Sequence, residues 1–95
     1  MERIISDNEL YCIESYELMR KQYIEIFEKK LDFLIGEINA IKISKFRNEF
    51  NRKLGWITEE ELNKIKQDYD NEIKVIEISI KSITNKIQNL KDLEL

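Results

Sequence analysis

The chain of 95 residues contains no proline and only two glycines, Gly36 and Gly55. These residue types supply most tight reversals of a polypeptide, so their scarcity makes long uninterrupted helices the economical fold. Strands joined by tight turns would lack their turn residues. With 42% hydrophobic and 37% charged residues and no low-complexity tract, the composition is that of a folded helical protein rather than a disordered tail. A chain this short has room for a single domain, residues 1–95, with a thin core.

Two helix starts are written into the sequence. Ser6 followed by Glu9 forms a capping box, with Ile5 and Leu10 as a hydrophobic staple around it. From Leu10 the residues Ile13, Tyr16, Met19, Tyr23, Phe27, Leu31, Leu34, Ile38 and Ile41 recur every three or four positions, the spacing of one helical face. Thr58 with Glu61 repeats the capping box, and Ile57 with Leu62 the staple. Gly55 stands where a helix ends in the left-handed conformation, which is expected to fold Trp56 back on Phe50. Beyond the turn, Leu62, Ile65, Tyr69, Ile73, Ile76, Ile80, Ile83, Ile87 and Leu90 make one stripe. From Tyr69 onward the steps alternate four and three, a heptad seam with isoleucine at most of its positions.

The expected fold is therefore an all-α, long antiparallel hairpin: a helix over about 7–54, a turn at 55–58 and a helix over about 58–92. One stretch does not fit a straight rod. Ile43, Phe46, Phe50 and Leu54 fail to continue the first stripe, and at about 100° per residue the apolar face jumps by roughly 140° after Ile41. Gly36 offers a place for a bend or a break near 36–42, so a three-helix arrangement is the alternative.

Charge supports the reversal. Lys42, Lys45, Arg47, Arg52 and Lys53 face a single acid, Glu49, in the stretch before the turn, while Glu59, Glu60, Glu61, Asp68, Asp70 and Glu72 follow it. Folding back sets a basic helix end beside an acidic helix start, in agreement with both helix dipoles. Two helices still leave apolar residues outside their seams, namely Ile24, Phe33, Ile35, Val75 and Ile78. Burying all five would contribute about 8–15 kcal/mol, against about 4–15 kcal/mol for the cost of association. A homodimeric four-helix bundle or coiled coil is the expected assembly. Tyr11, Tyr16, Met19 and Tyr23, on the part of the first helix that outruns the second or meets it only near Leu90 to Leu95, are the other candidate protein contacts.

The run Gly55-Trp56-Ile57-Thr58-Glu59-Glu60-Glu61-Leu62, with Lys66 beyond it and Phe46, Phe50 and Leu54 before it, resembles the SHOCT family over residues 46–66. That family is a short helical hairpin of the form helix, Gly-x-Ile-Thr-x-Glu-Glu, helix. The resemblance implies a module for oligomerisation. The present chain departs from the pattern in its extra glutamate, its tryptophan and its longer second helix.

The chain has no histidine, which removes Ser-His and Cys-His nucleophile systems and His-ligated metals. Two isolated glycines cannot build a phosphate-cradling loop. The carboxylate runs 59–61 and 68–72 read as a helix opening turn and a solvent face, and Cys12 stands among Glu9, Glu14 and Glu17, which oppose a thiolate. No enzyme activity, cofactor, metal or small-molecule substrate is expected. With one cysteine, no leader-like start and no long apolar run, a cytoplasmic location away from membranes is expected. Heavy use of Ile, Lys, Asn and Glu is what an AT-rich coding sequence gives, pointing to a low-GC bacterium, its phage or its plasmid.

The function expected on these grounds is a self-associating adaptor, inhibitor or small regulator of another protein. The alternative is a nucleic-acid-binding regulator using Lys42, Lys45, Arg47, Arg52 and Lys53, with Phe46, Phe50 and Trp56 interleaved.

Overall fold

A computed structural model describes residues 7–94, with side chains from Leu10 onward; the first capping box, Ser6 with Glu9, and its Ile5–Leu10 staple fall outside the described residues. Two helices make up the fold, α1 (Asp7–Lys53) and α2 (Glu59–Asp92), running antiparallel along each other. The pair forms a rod of 77 × 16 × 15 Å. Its radius of gyration is 22.6 Å, against about 12 Å for a compact domain of this length.

The turn is specified locally. Gly55 has φ +77°, a conformation that costs other L-residues about 1–2 kcal/mol. Its N–H donates to the Arg52 carbonyl and that of Trp56 to the Asn51 carbonyl, the double bond of a Schellman ending. Thr58 then opens α2: its Oγ1 accepts from the Glu61 N–H at 3.1 Å, and Glu61 Oε1 accepts from the Thr58 N–H at 3.4 Å. Ile57 is half-buried and Leu62 is buried, in keeping with a staple. Trp56 does not fold back on Phe50; they are 74% and 60% exposed. The apolar contact common at this ending joins the residue after the glycine to one four or five before that glycine; the nearer position holds the polar Asn51, and the Trp56 indole stays in solvent.

No break interrupts α1. It is one helix of 47 residues, about 70 Å long at 1.5 Å per residue, and the narrow cross-section of the rod leaves no room for a sharp bend at Gly36. The less exposed residues explain the jump in phase. Toward α2, α1 presents Arg20, Ile24, Phe27, Leu31, Leu34, Ile38, Ile41, Lys45 and Asn48, in unbroken steps of four and three. The seam runs through without a shift, but its last part is polar, and the apolar residues after Ile41 point elsewhere. Ile24 accordingly belongs to the seam, not outside it.

The two halves of the hairpin are held by different forces. From Ile24 to Ile41 the seam is aliphatic and aromatic, closed by Ile73, Ile76, Ile80, Ile83, Ile87 and Leu90. Among the described residues only Leu62, 4% exposed, and Ile87, 8% exposed, are buried, so the core is thin. Nearer the turn, ion pairs bridge the helices: Lys45 Nζ to Asp70 at 2.6 Å, Lys66 Nζ to Glu49 at 2.9 Å and Arg52 Nε to Glu59 at 3.0 Å. Hydrogen bonds from these lysines hold the Glu49 and Asp70 carboxyls below their usual range, and the bond to Glu49 raises Lys66.

At the open end, Arg20 Nη1 donates to the Leu93 carbonyl at 2.6 Å and its Nη2 pairs with Glu17. The seam passes from Ile24 to Arg20 at the level where α2 ends. The start of α1, from Asp7 to about Ser15 and about 13 Å of helix, projects past α2, while Tyr16 and Met19 still reach Leu90 and Leu93. No helix among the described residues is long and apolar enough to cross a membrane.

Candidate interaction surface

Apolar side chains left in contact with water mark this molecule. Its accessible surface is 7991 Å², against about 5,800 Å² for a folded monomer of the same mass. The difference of about 2,200 Å² is more than twice the ~800 Å² that each partner buries in a standard interface.

One broad face of the hairpin is an open groove between the helices. Near the open end Tyr16, Met19, Arg20, Tyr23, Leu90 and Leu93 enclose about 170 Å³. Midway, Phe27, Lys30, Ile78, Ser79, Ser82, Ile83 and Lys86 surround about 400 Å³. Lys86 Nζ lies 5.8 Å from the centre of the Phe27 ring there, a cation–π contact, and Tyr23 stacks on Phe27 at 6.5 Å. Beyond Gly36, Glu37, Ala40, Ile41, Glu72, Val75 and Ile76 line about 450 Å³.

The structure thus brings Tyr16, Met19, Tyr23, Val75 and Ile78 together along one face, with exposures from 41% to 71%. Phe33 is 67% and Ile35 44% exposed. Tyr11, 71% exposed, stands on the projecting part of α1 instead. Ile24 is withdrawn from the set by its place in the seam.

Two apolar residues of this surface, Ile26 and Ala40, escape the sequence reading, while Ile43, Phe46, Phe50 and Leu54, set apart there from the first stripe, are exposed. A signal for Ile26 and Ala40 exists. Cys12, Met19, Ile26, Phe33, Ala40, Arg47 and Leu54 recur every seven residues, and all are exposed. A line at that spacing keeps one direction on a helix that follows a heptad seam. α1 therefore carries two stripes, one on α2 and one on solvent. Gly36 lies beside the second, and a Cβ built there would meet nothing within 4 Å.

At the turn end, Ile43, Phe46, Phe50, Leu54 and Trp56 are 46–74% exposed. Of the basic candidates, Lys45 and Arg52 are engaged by Asp70 and Glu59. Lys42, Arg47 and Lys53 are exposed, and no ion pair to them is seen among the described residues. Lys42, Lys45, Phe46 and Glu49 border a smaller hollow of about 250 Å³. The acidic runs are partly used for structure, Glu61 in the cap, Glu59 and Asp70 in bridges. Among the described residues no cluster of potential ligands could hold a metal ion. The Cys12 thiol is free and exposed. Comparison with family models, curated proteins and solved structures gave no match.

Proposed function

We propose that this chain is a non-enzymatic protein–protein interaction module: a self-associating helical hairpin that acts as an adaptor, inhibitor or small regulator of another protein. The observation that carries the reading is the large exposed surface, with an apolar groove along one face and a second apolar stripe along α1. Contiguous exposed patches beyond a few hundred Å² mark interaction sites in soluble proteins. The local resemblance of residues 46–66 to the SHOCT hairpin supports the same class. Light scattering tests the self-association, with at least twice the 11.5 kDa chain mass expected at tens of micromolar; a single-chain mass overturns it.

A second reading has one observation in its favour. Phe46, Phe50 and Trp56 are exposed rather than packed, and Lys42, Arg47 and Lys53 lie among them. Exposed aromatics with basic neighbours suit stacking on single-stranded nucleic acid. Replacing the five bases of 42–53 by Gln separates the readings: a salt-sensitive band shift that disappears supports nucleic-acid binding, and no shift in the parent supports the protein module.

A further inference from the structure

We infer that the occupant of the second α1 stripe is the α1 helix of another copy of this chain, packed antiparallel about a two-fold axis near Phe33. The inference rests on the self-association proposed above and specifies its geometry. Three observations carry it.

The first is area. A stripe running most of the 47-residue length of α1 offers an interface as long as the molecule, with Met19, Ile26, Phe33 and Leu54 on it 41–67% exposed. The second is shape. The sevenfold line is centred on Phe33, with Ile26 and Ala40 at equal distances to either side and Cys12 and Leu54 at its ends. A two-fold axis there superimposes the line on itself and overlaps the two rods almost completely. Gly36, with open space where a Cβ would be, lets the two backbones approach closest near the axis. The projecting start of each α1 then lies over the exposed turn end of the other copy.

The third is charge. From Leu10 to Glu28, α1 holds four acids and two bases; from Lys42 to Lys53 it holds five bases and one acid. Antiparallel packing sets the basic 42–53 end of one α1 at the axial level of the more acidic start of the other, twice per dimer, a long-range match because Glu14 and Glu17 lie on the far side of α1 from the stripe. Parallel packing would instead set like charges together, at a cost.

The native thiol provides the test. In the antiparallel arrangement the two Cys12 residues are separated by about 42 residues of helix, or about 60 Å, whereas Cys12 lies level with position 54 of the other copy. Full-length wild type, L54C and the control C12S/L54C are compared by light scattering and, under mild oxidation, by non-reducing electrophoresis. The expected result is a two-chain mass for all three, rapid covalent dimer in L54C alone, and circular dichroism unchanged. Fast Cys12–Cys12 crosslinking of the wild type overturns the antiparallel arrangement while leaving self-association standing. A two-chain mass with no crosslink in L54C moves the contact off this stripe and also overturns the inference. A single-chain mass removes self-association itself.

Discussion

α2 has one neighbour and is written for it. Its apolar residues fall on one stripe, with only Val75 and Ile78 left exposed in its body. α1 is longer and carries more apolar side chains exposed than turned toward α2. A surface helix normally confines its apolar residues to the side facing the core, and one that is apolar on two sides has two neighbours to satisfy. The difference teaches that the hairpin covers most of the apolar surface of α2 but leaves much of that of α1 in water.

That contrast can be broken at several points. The largest effect is expected inside the seam: Ile87→Asp places an unpaired charge at an 8% exposed position, at a cost of about 3–5 kcal/mol. Circular dichroism during urea titration should show that loss, and an unchanged midpoint would mean that the seam is not what holds α2. Next comes the outer side of α1. Phe33→Asp should keep the helicity of the hairpin but weaken self-association by about 30- to 150-fold, a loss of 2–3 kcal/mol typical of a central apolar anchor; sedimentation equilibrium measures it, and undiminished association would show that the second stripe is idle.

The turn should respond less. Gly55→Ala forces a side chain into the φ +77° conformation and is expected to cost about 1–2 kcal/mol, Thr58→Ala about 1 kcal/mol, both read from thermal unfolding. The smallest effect is pH dependence. Glu49 and Asp70 have lowered folded-state pKa values, so their contribution is present at neutral pH and lost as pH falls through those values, below the ordinary carboxylate range. Lys66 is raised, so its contribution persists below the ordinary lysine range and is lost as pH rises above it. A slight drop of the midpoint in acid, shrinking further in high salt, is the expected signature; insensitivity to both would remove the ion pairs from the account of the turn half.

Much of this was readable in advance where the governing interactions are short-range. Gly55, Thr58 and Glu61 act over three or four residues, so turn type, cap and reversal follow from local chemistry, and Lys45, Glu49 and Arg52 find partners across the turn. The facing of α1 was harder. Tyr16, Met19 and Tyr23 share helical spacing with the true seam residues Arg20, Ile24 and Phe27, offset by about one position, and periodicity alone merges the two stripes into one. The same merging makes the turn-proximal residues look like a bend. An arginine in the seam at position 20, where α2 runs out, has no apolar signature to announce it.

The projecting start of α1 has a further consequence. A helical stretch shorter than about a dozen residues is marginal in water without a neighbour, and α2 stops before it can supply one. The protection of the Leu10–Ser15 amides against hydrogen exchange is thus a gauge of occupancy: fast exchange reports a hairpin alone, slow exchange a hairpin whose open end has been covered.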